Sequence, residues 1–171
     1  MKAYPHNETP DSDQIIARVE DKNISVEEYK RRANVILVSL KNKAKKDFTE
    51  EQAQKLKKII LDILINEKVL IVEAENQNIK VSLQETKKAY RDIRDNRFDS
   101  KREFRNKLKE TEFATDQEYK NHIRNQLKAR KLIDKEVRKR GHSVRAKKQA
   151  EYDSDQYKKF LFQLREKYNI E

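Results

Sequence analysis

The sequence of 171 residues has no cysteine and no tryptophan, one glycine and two prolines. Without cysteine, neither a disulfide framework nor a thiolate metal site can form. With one glycine, there is no glycine-rich loop of the kind that holds nucleotide phosphates. The three histidines are scattered, and His122, among polar and charged neighbours, is interpreted as a surface residue. We therefore expect no metal, no cofactor and no catalytic residue.

Charge is what the sequence has in excess. Charged residues make up 42% of the chain and hydrophobic residues 35%, which, with so few turn formers, is typical of long helices with solvated outer faces. The net charge is +11, but it is unevenly distributed, because residues 138–148 contain six basic residues and no acidic one. Elsewhere acidic and basic residues are interspersed, as on an ordinary exposed helix face.

The basic run at 138–148 is interpreted first as a solvated linker or helix end, which complements the dipole of the preceding helix. Contact with acidic clients or with the anionic headgroups of a membrane surface is a second reading. Nucleic-acid binding is the least favoured reading, because no aromatic residue interleaves the run. The residues of this basic contact patch are Arg138, Lys139, Arg140, Arg145, Lys147 and Lys148.

The densest apolar run lies within residues 50–77. Its aliphatic residues recur at spacings of three and four, which predicts a helix that is apolar over most of its circumference. Asp62, Glu67 and Lys68 interrupt the run, so it is not a membrane span. We interpret it as the central helix of a soluble domain, covered by the first, fifth and sixth helices. Ile63 is expected in its core, where an aspartate would unfold the domain.

Six helices are predicted, at about 26–42, 50–77, 83–96, 101–109, 116–139 and 155–167. Five begin at a capping-box pair, in which a hydroxyl and a carboxylate or amide three residues later satisfy the first free amides. The pairs are Ser25 with Glu28, Thr49 with Gln52, Ser82 with Glu85, Ser100 with Glu103, and Thr115 with Glu118. The predicted class is all-α with a minimal two-stranded sheet, in which a strand at 15–19 pairs with the tail at 168–171, since a lone strand leaves its backbone groups unsatisfied.

The predicted organisation has four parts. Residues 1–14 are interpreted as a disordered leader, because almost nothing in them can be buried. Residues 15–139 form the helical domain, and 140–153 form a basic linker. Residues 154–171 form a C-terminal helix and strand that pack back on the same domain or on a swapped partner.

Three stretches point to a known family. Leu64-Ile65-Asn66-Glu67-Lys68-Val69-Leu70, then Glu73-Ala74, Ile79-Lys80-Val81-Ser82 and Glu85 follow one hydrophobic pattern position by position. The segments 118–133 and 160–171 follow two more. Together they resemble the N-terminal domain and C-terminal helix and strand of the SurA and PrsA type of extracytoplasmic folding factors. In place of the family's Asn-Gly turn, this chain has Glu20-Asp21-Lys22-Asn23.

This resemblance implies an ATP-independent periplasmic or extracytoplasmic chaperone that binds unfolded or outer-membrane client polypeptides. Family members usually carry parvulin isomerase domains before the C-terminal segment, where this chain has only the basic linker. A parvulin fold needs on the order of a hundred residues with several strands and glycine-bearing turns. We therefore expect no isomerase activity in this chain. The alternatives are a protein–protein assembly module, including a homodimer swapped through the C-terminal helix, and, less favoured, a nucleic-acid binder.

The aromatic residues around the fourth helix are the candidate client-binding group. One reading is a small satellite core between the third, fourth and fifth helices. The other is an open apolar cradle for unfolded chains, ringed by charge. The candidate residues are Tyr90, Ile93, Phe98, Phe104, Leu108, Phe113 and Tyr119.

Overall fold

The computed structural model describes residues 14–44, 48–113, 115–137 and 146–171, with the backbone alone for Ala44 and residues 146–153. The described residues form six α-helices and one two-stranded sheet, as predicted. The elements are β1 (Ile15–Val19), β2 (Lys22–Ser25), α1 (Val26–Ala44), α2 (Glu50–Asn76), α3 (Leu83–Arg97), α4 (Lys101–Leu108), α5 (Asp116–Glu136) and α6 (Ala146–Lys167). The predicted leader, apart from Gln14, lies outside the described residues.

The boundary of α6 corrects one prediction. The helix begins at Ala146 and not near Asp155, so the second half of the segment predicted as a basic linker at 140–153 is helical. This segment holds no proline or glycine after Gly141, so nothing in it stops a helix from extending toward its N-terminus.

The sheet differs from the predicted one in its strand partner. β1 pairs with β2 in an antiparallel hairpin, with Ala17 opposite Ile24, whereas we predicted residues 20–23 as a turn and the C-terminal tail as the partner. The chain reverses at Glu20, whose φ of 52° lies in the left-handed region, and this frees residues 22–25 to pair. The tail does reach β1, through a single antiparallel bridge between Val19 and Ile170.

Backbone hydrogen bonds secure that bridge. The amide of Arg18 donates to the carbonyl of Glu171 at 2.8 Å, and the amide of Glu171 donates to the carbonyl of Arg18 at 3.0 Å. The chain's two distant segments therefore meet at one edge of the hairpin, as the sequence predicted.

The helix starts follow the capping prediction closely. In all five pairs the predicted hydroxyl accepts the third backbone amide, at 3.0 to 3.2 Å. The reciprocal bond forms at Thr49 and Ser82, whereas Glu103 accepts from the amide of Asp99 instead of that of Ser100. Just beyond the end of α2, Asn78 has a φ of 53°, the left-handed conformation expected of an asparagine there.

The core is built on α2, which contacts α1, α5, α6 and the hairpin. Each fully buried aliphatic side chain contributes about 1.5 to 3 kcal/mol relative to an exposed one. From α2 the buried residues are Ile60, Leu64, Ile65, Val69, Leu70, Val72, Glu73 and Ala74. All of these except Ile60 and Glu73 belong to one hydrophobic cluster with side chains of other elements, among them Val19, Ile24, Leu132, Leu164 and Tyr168. Within the residues that the structure describes, no helix combines the length and hydropathy that a membrane span requires.

The prediction that Ile63 lies in this core is wrong. The Ile63 side chain is 39% exposed and that of Ile59 is 53% exposed. The aliphatic residues of α2 cover more of its circumference than the neighbouring helices enclose, so one apolar side is left open.

The end of the chain is tied to α2 by a buried carboxylate. Glu73 accepts from the Tyr168 hydroxyl, from Lys167 Nζ at 2.7 Å and from Gln77 Nε2 at 2.6 Å. Asn76 Nδ2 in turn donates to the Tyr168 hydroxyl at 2.9 Å. A buried charge is tolerated where donors surround it. Here the donors come from the C-terminal ends of α2 and α6 and the residues that follow them, so they fix α6 on α2.

Candidate functional site

The open side of α2 forms one wall of a groove of about 700 Å³. The other walls are α1, α5 and the loop that precedes α5, and α6 contributes one tyrosine. Its apolar lining consists of Ile63, Leu70, Ile71, Phe113, Ala129, Ile133 and Tyr157. The residue that we predicted as core, Ile63, is therefore part of the groove.

Four side-chain amides interrupt this apolar lining, from Asn66, Asn121, Asn125 and Gln126. Two are already engaged, because Asn66 Oδ1 accepts from Arg165 at 3.1 Å and Asn121 Oδ1 accepts from Gln117 at 3.0 Å. Asn125 and Gln126 form no side-chain hydrogen bond with any part of the chain that is described. Each free amide offers two donors and an acceptor to whatever enters the groove.

An ion-pair network forms one part of the groove wall. Arg32 donates to both carboxylate oxygens of Glu67, at 3.4 and 3.1 Å, and its Nε lies 3.1 Å from Glu112. Burial raises the pKa of Glu67, and the attraction of Arg32 opposes this effect without cancelling it. The same burial raises the pKa of Tyr157, with the charge of Glu67 adding to it.

The interpretation of His122 as a surface residue is wrong. Its ring is half-buried in the groove wall, with its centroid 4.8 Å from that of Phe113. Burial lowers the pKa of His122, and the positive charge of Arg32 lowers it further. The lowered pKa favours the neutral imidazole, which belongs to the aromatic part of the lining.

The predicted client-binding aromatics pack on one another between α3, α4 and α5. Tyr90, Phe98, Phe104, Phe113 and Tyr119 make ring contacts with centroid distances of 5.2 to 6.2 Å. Phe104 is only 3% exposed, and Ile93 and Leu108 are half-buried beside this cluster. This is the arrangement of a satellite core. Phe113 is the one candidate that also lines the groove, and client contact by the set stays a prediction.

The basic contact patch is not placed by the structure. Arg138, Lys139, Arg140 and Arg145 lie outside the described residues, and Lys147 and Lys148 belong to the first turn of α6, where the backbone alone is described. Among the described residues no cluster of histidine and acidic side chains is arranged to hold a metal ion.

The groove was missed at the level of sequence because its walls come from four distant segments. One signal was present, since the aliphatic residues of α2 exceed what a single buried stripe requires. A second signal was the pair Asn121 and Asn125, which share one face of α5 at a spacing of four.

Residues 2–133 match the family model described as SurA-like N-terminal domain. The match extends from before β1 into the last turns of α5, and all but two of the groove-lining residues, Asp134 and Tyr157, fall within it. No curated protein matches the chain.

Proposed function

The chain belongs to the SurA-like N-terminal domain family, and from this premise we propose that it binds unfolded client polypeptides in the groove between α1, α2 and α5. The observation that carries this proposal is the open side of α2, where Ile63 and Ile71 face the groove beside amides that have no partner among the described residues. Binding of this kind requires neither ATP nor a cofactor.

The aliphatic wall supplies affinity without reading a sequence. A client side chain that covers Ile63 removes apolar surface from water on both partners, which contributes roughly 25 cal/mol per Å². Such contacts accept leucine, valine or an aromatic ring alike, so the groove suits many clients.

The free amides supply the second requirement of an unfolded client. An extended segment carries backbone N–H and C=O groups that lose water when they enter a groove, and each needs a new partner. Asn125 and Gln126 offer donors and acceptors beside the aliphatic wall. We therefore propose that the groove takes extended segments with alternating apolar residues.

The family relationship also supports a place of action outside the cytoplasm, with unfolded outer-membrane proteins among the clients. Within this proposal the chain acts as a holdase and not as an isomerase, because nothing in groove binding involves the rotation of a prolyl bond.

Aggregation of a chemically unfolded reporter tests the holdase activity. We expect the chain at stoichiometric amounts to suppress the light scattering that follows dilution of the reporter from denaturant. Scattering that rises as it does without the chain would contradict the proposal. An isomerase assay on a proline-containing peptide should show no acceleration above the uncatalysed rate.

Peptide methylation tests the role of the amides. Wild-type protein should bind an extended fluorescent peptide more tightly than the same peptide with methylated backbone nitrogens. In the Asn125→Leu variant, the affinities for the two peptides should differ less. If wild-type protein binds both peptides equally, the groove does not engage the client backbone.

A second candidate function is assembly into a homodimer by exchange of α6. It is favoured by the way in which Leu164 and Tyr168 enter the core while Phe162 on the same helix is 65% exposed. Light scattering at several protein concentrations distinguishes a homodimer from a monomer. A monomer mass throughout would remove this candidate.

A further inference from the structure

One face of α3 is lined by basic residues and lies beside the start of α5. Lys87, Lys88, Arg91 and Arg94 recur at spacings of three and four, so they share one side of the helix. With Lys120 of α5 they surround Tyr90 in a shallow depression. We call these five cations the basic face.

Three of the five cations are available to a ligand. Lys87, Lys88 and Arg91 are exposed, and none of them forms an ion pair with an acidic side chain in the described ranges, although the charge of Asp95, one turn along, attracts Arg91. The other two are neutralised locally, because Arg94 binds Asp95 at 2.6 Å and Lys120 binds Asp116. The segment 83–109 as a whole carries ten basic and five acidic residues, so the basic face adds to a local excess of positive charge.

The surroundings of the basic face favour a membrane over a nucleic acid. Leu83, which is 69% exposed, precedes the cations on the same side of α3. The Tyr90 ring is not free to stack on a base, because Lys120 Nζ lies 4.9 Å from its centroid and Phe104 packs against it at 5.4 Å. An exposed leucine beside free lysines and arginine fits a layer of phosphate headgroups above hydrocarbon.

We infer that the basic face of α3 docks on the anionic headgroups of a phospholipid membrane. Each lysine or arginine near such a surface raises the partition of a protein onto it by about fivefold. Three such cations together therefore raise the partition of the protein onto the membrane by roughly 100-fold. The contact is electrostatic and superficial, since Leu83 is the one strongly exposed apolar residue on this side of the helix among those described.

The basic face and the groove lie on opposite sides of α5. Lys120 belongs to the basic face and His122 to the groove wall, and two residues correspond to about 200° around a helix axis. A chain held on a membrane through α3 thus keeps its groove open to solvent. The membrane inference does not depend on what the groove binds.

Vesicle co-sedimentation tests this inference. The full chain is mixed with vesicles of equal parts phosphatidylglycerol and phosphatidylcholine, and with vesicles of phosphatidylcholine alone. The test variant is Lys87→Gln/Lys88→Gln/Arg91→Gln. The matched control is Lys57→Gln/Lys58→Gln/Lys159→Gln, which loses the same charge from three exposed lysines that have no ion pair within the described residues. A circular dichroism spectrum establishes that both variants fold.

We expect salt-sensitive binding to the anionic vesicles alone, weakened about 100-fold in the test variant and less than about fivefold in the control. No binding of wild-type protein, or equal loss in both variants, would overturn the inference. Release by inorganic phosphate at matched phosphate concentration would point to a single-anion site instead. Tighter binding to a labelled oligonucleotide, lost in the same test variant, would make the partner a nucleic acid.

Discussion

Two sides of the same helix, α2, differ in what covers them. On the core side, Ile60 and Leu64 are fully buried, and Leu64 belongs to the cluster that joins α2 to the hairpin, α5 and α6. On the groove side, Ile63 and Ile71 are as apolar but remain open or half-open. A dense run of apolar residues therefore predicts a helix that other elements must bury. Where those elements leave one apolar side exposed, a further apolar partner can bind.

The two sides also hold different glutamates. Glu73 on the core side accepts from Tyr168, Lys167 and Gln77, and these bonds keep its pKa below the ordinary value although burial alone would raise it. Glu67 on the groove side has Arg32 as its main partner, and burial prevails, so its pKa is raised. The donors to Glu73 on the core side therefore outweigh the effect of burial on its pKa, whereas Arg32 on the groove side does not outweigh it for Glu67.

The largest expected difference between the two sides is in stability. Leu64→Ala should lower the free energy of unfolding by about 3 kcal/mol, because it leaves a cavity in a closed core. Ile63→Ala, one residue earlier, should lower it by less than about 1 kcal/mol, because the side chain is already partly in water. Urea denaturation followed by circular dichroism measures both. Equal losses in the two variants would mean that the groove side is as enclosed as the core side.

A smaller difference is expected for two tyrosines of the C-terminal segment. Tyr168→Phe removes a hydrogen bond to the buried Glu73 carboxylate and should cost about 2 kcal/mol. Tyr157→Phe serves as the matched control, since the Tyr157 hydroxyl has no partner within the described residues and lines the groove. The same urea titration measures the free energy of unfolding of both variants. A loss in Tyr157→Phe as large as that in Tyr168→Phe would contradict the assigned role of the Tyr168 hydrogen bond.

The third expected difference is in the direction of the pKa shift of the two glutamates. Carbon-detected NMR of the glutamate carboxyls should place the pKa of Glu73 below, and that of Glu67 above, the ordinary value of about 4.3. The stability from Glu73 is then present above that value and is lost as pH falls through its folded pKa. The contribution of Glu67 has the opposite sign, being present at low pH and lost as pH rises through its folded pKa. Shifts in the same direction would contradict this assignment.

The elements that sequence predicted well are those set by neighbouring residues. The five helix starts follow from hydroxyls that reach an amide three residues later, and the end of α2 follows from Asn78. The family resemblance was likewise carried by local patterns, and the family model confirms it.

The features that sequence missed depend on how distant segments are placed. The hairpin partner of β1 depended on the left-handed conformation of Glu20, a residue type that rarely adopts it. The exposure of Ile63 and the burial of His122 depended on the angle at which α1, α5 and α2 meet. No spacing within a single helix determines that angle.

The central claim is that clients bind on the groove side of α2, and one pair of variants tests it most directly. Ile59 and Ile63 are both exposed isoleucines one turn apart on α2, but Ile63 alone of the two lines the groove. Fluorescence anisotropy of a labelled extended peptide should show binding about tenfold weaker for Ile63→Ser and unchanged for Ile59→Ser, because a buried aliphatic contact is lost in the first variant only. Unchanged binding in Ile63→Ser, or an equal loss in both, would contradict the account.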